Sequence, residues 1–165
     1  MTYTMKLLFS TLFILCFSST VLAQNKLNLG VSANIPIGDA NNFASFAVAG
    51  DLNYLFDVAE YWDVGPFTGI SNAFGDRVEG VELEDVRFVP FGGAVRFEFL
   101  PRINFGLDIG YAWGIGTITD SGLYFSPRAQ VTVSKRIDIV AAYRGISRSG
   151  SSWDMIGIGA EFLLN

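Results

Sequence analysis

Ile103-Asn104-Phe105-Gly106-Leu107-Asp108-Ile109-Gly110-Tyr111-Ala112-Trp113-Gly114-Ile115 decides the fold. Its odd positions are bulky and apolar, and its even positions are Asn, Gly, Asp, Gly, Ala and Gly. Successive side chains of an extended strand point to opposite faces, so period two over thirteen residues means one greasy and one small or polar face. The same rule governs Lys26 to Ile35, where Leu27, Leu29, Val31, Ala33 and Ile35 oppose Lys26, Asn28, Gly30, Ser32 and Asn34. In Leu123 to Val133, Leu123, Phe125, Ala129, Val131 and Val133 oppose Ser126, Arg128, Gln130 and Thr132. At the C-terminus Ile156, Ile158, Ala160, Phe162 and Leu164 oppose Gly157, Gly159 and Glu161.

Ser45 to Phe56, Trp62 to Phe74, Arg87 to Phe99 and Ile137 to Ile146 follow the pattern with exceptions. Leu55, Phe67 and Val140 fall on the polar parity. Eight strands of roughly ten to thirteen residues result, longer than the five or six usual in soluble proteins and long enough to cross a bilayer at a tilt. The intervening segments alternate long and short: Pro36–Ala44, Asp57–Tyr61, Gly75–Val86, Leu100–Arg102, Gly116–Gly122, Ser134–Arg136 and Ser147–Ser152. An antiparallel meander collects alternate connections at one end, and outer-membrane barrels pair long outer loops with short periplasmic turns. The reading is an all-β, eight-stranded antiparallel up-and-down transmembrane β-barrel.

Glycines crowd the polar face (Gly30, Gly92, Gly106, Gly110, Gly114, Gly157, Gly159), which suits a narrow tube better than a solvated exterior. The same face carries Asp51, Arg96, Glu98, Asp108, Arg128, Asp138, Arg144 and Glu161, mixed in sign. They are expected to form a lumen network, since charges in a confined interior must be matched. The apolar face is then lipid-facing, with Tyr54, Trp62, Phe97, Phe99, Tyr111, Trp113, Phe125, Tyr143, Trp153 and Phe162 expected in the interfacial girdles. Pro66, Pro90 and Pro127 are the main misfit: they lie inside strands, where each removes a ladder donor, and only a bulge or rim position could absorb them.

The N-terminus reads as an export signal: Lys6, an apolar run from Leu7 to Phe17, and small residues ending in Val21-Leu22-Ala23. Cleavage after Ala23 is expected, giving a signal peptide over 1–23 and a barrel domain over 24–165. The run is too short to cross a bilayer as a helix. Cys16 lies within it, so the mature chain has no cysteine and, with 10 Lys+Arg against 16 Asp+Glu, a net charge of −6. No later stretch supplies eighteen consecutive apolar residues. The cationic deficit argues against nucleic acid.

Together with the signal, the segments Val64-Gly65-Pro66-Phe67-Thr68-Gly69, Tyr111-Ala112-Trp113-Gly114, Tyr124-Phe125-Ser126-Pro127-Arg128-Ala129 and Gly157-Ile158-Gly159-Ala160-Glu161-Phe162 resemble the small outer-membrane β-barrel family, similar to the eight-stranded OmpX and OmpA barrel type. The resemblance implies a cell outer membrane of Gram-negative type. It also implies contact with outer-membrane lipids and lipopolysaccharide, and assistance from the barrel-assembly machinery during biogenesis. A final aromatic is usual in that family, whereas this chain ends Phe162-Leu163-Leu164-Asn165.

The 165 residues contain no histidine. Small barrels that are lipid A deacylases, palmitoyltransferases or proteases generally use one as general base. No catalytic, cofactor or metal residues are therefore assigned, and no cofactor is expected. Ser147-Arg148-Ser149-Gly150-Ser151-Ser152 reads as a flexible outer loop, and Gly75 to Asp85, the most acidic stretch, as a solvated loop without calcium-loop spacing. The expected role is structural, adhesive or surface interaction, as a monomer without catalysis. The alternatives are a small-solute, porin-like channel or transport accessory, and a soluble exported barrel holding an apolar ligand.

Overall fold

A computed structural model describes residues 25–78, 81–116, 119–148 and 150–165. The expected signal segment and its cleavage site lie outside the described residues. Strands β1 (Lys26–Ile37), β2 (Ala44–Ala59), β3 (Trp62–Gly75), β6 (Val86–Leu100), β7 (Ile103–Ile115), β8 (Gly122–Ser134), β9 (Ile137–Arg148) and β10 (Ser151–Leu163) close into one barrel. Two further short strands, β4 (Arg77–Val78) and β5 (Val81–Glu82), make a small hairpin inside the connection from β3 to β6. Every ladder is antiparallel and joins neighbours in sequence, with β1 against β10 closing the ring.

Pairing defines the stagger. The path Leu163, Asn28, Asn53, Phe67, Gly92, Gly110, Tyr124, Ile146, Trp153 runs once round the wall and re-enters β10 ten residues from its start. Eight strands with a shear of ten tilt by about 40° from the barrel axis and leave an interior that side chains can fill. On β6 the outward residues from Val89 to Phe99 span ten residue steps, about 25 Å along the axis at that tilt, the height of an apolar membrane band. Closure leaves no unpaired sheet edge for hydrocarbon to meet.

The bulky apolar set faces outward. Val31, Ile35, Ile109, Trp113, Leu123, Ile156 and Ile158 are each more than half exposed, whereas Arg96, Asp108, Arg128 and Glu161 are buried. A soluble barrel with its large apolar residues inside would show the reverse.

The connections follow the expected asymmetry with one exception. At one end β2–β3, β6–β7 and β8–β9 are joined by the two-residue turns 60–61, 101–102 and 135–136, each beside a β-bulge. Tyr61 and Arg102 take positive φ there, as the bulged hairpin turn requires. Each turn also ties to the next strand, since the carbonyls of Tyr61, Arg102 and Arg136 accept from the N–H groups of Glu98, Thr132 and Leu163. At the other end the exception is Ser147–Ser152. It is not a six-residue loop, because Ser151↔Arg148 and Ser152↔Ser147 pair, so β9 runs on to Arg148 and β10 begins at Ser151.

The prolines are absorbed without a bulge. Pairing lapses for two residues beside each: in β2–β3 at Pro66, in β3–β6 at Pro90 and in β8–β9 at Pro127. Register is unchanged across each gap, and the opposite ladder pairs normally as Pro66↔Gly93, Pro90↔Ala112 and Leu107↔Pro127. A missing donor needs only local unpairing when two continuous ladders flank it.

Candidate functional site

The inward positions form two storeys. In the storey nearer the turns, β2 supplies Asp51, β6 Arg96, β7 Asp108, β8 Arg128, β9 Arg144 and β10 Glu161, all buried. Three guanidinium groups face three carboxylates. Arg128 is the hub: Nη2 donates to Asp108 at 2.6 Å and Nη1 to Glu161 at 2.9 Å, with Asp51 3.8 Å away. Arg96 Nη1 donates to Asp108 at 2.6 Å, and Arg144 grips both oxygens of Asp51 at 2.6 and 3.0 Å. One pair would not repay the desolvation of two charges, but a bridged set shares each carboxylate between donors. Neutral groups extend it. Gln130 and Asn53 donate to Glu161, Asn28 donates to Asn53, and Arg144 reaches the Tyr124 and Ser32 hydroxyls.

Glycine makes room for these side chains at identifiable points. A Cβ on Gly106 would lie 2.7 Å from Arg96 Cδ and 2.9 Å from Arg128 Cγ, and one on Gly69 would lie 2.8 Å from Asp51 Oδ1.

Glu98 and Asp138 do not join the network. Glu98 is exposed and Asp138 half-buried. Both line a polar vestibule of about 370 Å³ at the turn end, together with Lys26, Asp63, Asn104 and Thr132. Lys26 meets Asp63 there at 2.7 Å. The floor of the vestibule is Arg96, Gln130 and Glu161, so the cup ends blind at the ionic layer.

Nearer the loops the interior is apolar, although alternation reads the inward face as small or charged. Phe88, Ile146, Trp153 and Met155 are buried with Phe67, Tyr124, Ala47, Ala73 and Ala112. Phe88 packs on Trp153 with ring centroids 6.1 Å apart, Phe67 on Tyr124 at 5.5 Å, and Phe43 covers Trp153 at 6.4 Å. Ala40, in the 3-10 turn Gly38–Asn42, is buried beside them. Trp153 is therefore not a girdle residue. It shares the inward parity of Gly157, Gly159 and Glu161, and stepping back by two from Glu161 through Met155 would have placed it inside. Leu55 and Phe67, exceptions to alternation, are both buried inward, Leu55 on the vestibule wall and Phe67 in the plug against Tyr124, and Val140 also points inward.

The loop end is polar. Arg87 donates through Nε to Asn72 at 2.7 Å and contacts Asp85 at 3.3 Å, while Asp85 accepts the Gly75 N–H and the Asn72 amide. Those donors, the Gly75 N–H first, hold the Asp85 carboxyl below its usual range. A depressed carboxylate stabilises above its unfolded pKa and loses that contribution as pH falls through the folded one. Protection of the Gly75 amide against hydrogen exchange is accordingly expected to fall on acidification below the ordinary aspartate value of about 3.9, and Asp85→Asn to remove the dependence. Unchanged protection down to strongly acid pH would refute the cap. Among the described residues no group of three or more His, Cys, Asp or Glu is placed to hold a metal ion.

A closed antiparallel barrel of eight tilted strands, apolar outside and filled inside, defines the small outer-membrane type of transmembrane β-barrel. Solved structures agree at the level of fold. The outer-membrane protein Ail of Yersinia pestis in a phospholipid bilayer nanodisc superposes with a TM-score of 0.61 at 14% identity, over 84% of this chain and 99% of that one. Ail, the attachment invasion locus protein, in complex with the heparin analogue sucrose octasulfate gives 0.56 at 12% identity, over 86% and 99%. A de novo designed transmembrane β-barrel gives 0.53 at 15%, over 83% and 93%. No family model matches the chain, and no curated protein matches it in sequence.

Proposed function

We propose that the chain is a non-catalytic integral outer-membrane protein acting at its loop end, with a structural or adhesive role. It is exported by its N-terminal segment, inserted by the barrel-assembly machinery, and seated as a monomer among outer-membrane lipids and lipopolysaccharide. The observation that carries this reading is the filled lumen: an ionic layer backed by an apolar plug leaves no solute path, so the loops are what remains for contact. The likeness to an attachment protein points the same way.

Loop charge sets the kind of surface. Residues 38–43, 76–85, 116–121 and 149–150 contain Asp39, Asp76, Glu79, Glu82, Glu84, Asp85 and Asp120 against Arg77. Such loops favour a basic partner and repel sulfated glycans, unlike the neighbour crystallised with a heparin analogue. Protein reconstituted in nanodiscs is expected to bind polylysine-coated beads in a salt-sensitive manner and to ignore heparin-coated ones. Replacing Asp76, Glu79, Glu82 and Glu84 with amides should abolish the binding. Capture on heparin would sink the reading.

The channel alternative is tested separately. In planar bilayers the purified protein is expected to carry no steady current, and sustained ohmic conductance would return the lumen to a transport role.

A further inference from the structure

On the lipid-facing wall the outward rows run Thr68, Phe91, Tyr111, Leu123, then Pro66, Gly93, Ile109, Phe125, then Val64, Val95, Leu107, Pro127. Gly93 interrupts the middle row. It leaves a notch of about 340 Å³ lined by Val64, Gly65, Val95, Leu107 and Ile109. A Cβ on Gly93 would meet nothing within 4 Å, so no packing constraint against the wall requires glycine here. The rings of Phe91 and Tyr111, 6.2 Å apart, form a shelf on the loop side of the notch.

Depth fixes the occupant. Gly93 lies four residue steps from Val89 and six from Phe99, the two ends of the apolar band on β6, so it is inside hydrocarbon and nearer the loop end. No water is available there to fill a concavity, and an unfilled one forfeits contacts along its whole lining. The notch is larger than the roughly 150 Å³ engineered cavity that accommodates benzene. It is continuous with the surface that meets lipid on both sides. We infer that this notch is a specific acyl-chain site, holding one saturated chain of a lipid from the leaflet at the loop end under the Phe91–Tyr111 shelf. Val64 and Leu107, both half-buried, form its walls.

The test compares the full-length barrel with Gly93→Leu, whose added Cβ has open space around it, and with Ile158→Leu on the opposite wall as control. Each is reconstituted with dimyristoylphosphatidylcholine and released for native mass spectrometry, folding being checked by the change in gel migration on boiling. The wild type and Ile158→Leu are expected to retain one lipid, and Gly93→Leu to lose at least tenfold in the lipid-bound fraction. Equal retention in all three would overturn the site. So would a wild-type dimer dispersed by Gly93→Leu, which would make a second copy the occupant.

Discussion

Arg128→Ala is expected to cost the folded barrel about 3–5 kcal/mol, the range for breaking a buried pair while leaving its partner charge behind. The hub touches Asp108, Glu161 and Asp51 at once. Its loss leaves two guanidinium groups against three carboxylates, and Glu161 keeps only the amides of Gln130 and Asn53. The readout is the guanidinium midpoint for the loss of the heat-modifiable folded band. Adding Glu161→Gln should recover part of the loss, because Arg128 is the only cation within salt-bridge distance of that carboxylate among the described residues. Lys26→Ala, which breaks the half-exposed contact with Asp63, should cost no more than about 1 kcal/mol. Equal effects at Arg128 and Lys26 would show that the lumen charges are not a coupled set.

The second large effect falls on a residue whose position reverses its expected role. Trp153→Ala should destabilise by about 3–5 kcal/mol, because a ring buried at 2% exposure leaves a cavity that Phe88, Ile146 and Met155 cannot close. Trp113 is the comparison, at 65% exposure on the outer wall. Its truncation should cost clearly less, since lipid refills the space that the ring vacates. Unfolding midpoints of the two variants side by side decide the matter. A larger loss at Trp113 would put the plug outside the stability of the barrel. The loss at Trp153 should also loosen Phe43, which packs on it, and so make the first outer loop more sensitive to protease.

These two tryptophans show where sequence reasoning stopped. Both stand near strand ends, and aromatic type alone assigned both to the girdles. Parity distinguishes them: Trp113 alternates with Gly110, Ala112 and Gly114, whereas Trp153 shares the parity of Glu161. The interior is narrow enough for glycine beside the arginines, yet wide enough between small residues such as Ala47, Ala73 and Ala112 for large rings. That exchange of volume across the lumen depends on which strands face one another. It is a property of the closed ring and of its shear.

Much of the architecture was already present in the order of residues. Period two is local physics, as each strand residue points opposite to its neighbour, and an alternation unbroken over the thirteen residues Ile103–Ile115 has no helical counterpart. The sorting of connections at the two ends followed from where alternation breaks, except at Ser147–Ser152, where polar serines still pair across the strands. The need for balanced charge was also legible, because Asp51, Arg96, Asp108, Arg128, Arg144 and Glu161 lie on the polar parity. Which acid meets which base was not. Arg144 and Asp51 are 93 residues apart, and only the ten-residue stagger of the ring brings β9 and β2 to one level. The same closure separates Glu98 and Asp138 from the network, sets Gly93 between bulkier rows, and packs an apolar plug over an ionic floor. Local alternation gave each strand its two faces; the long-range register decided what those faces touch.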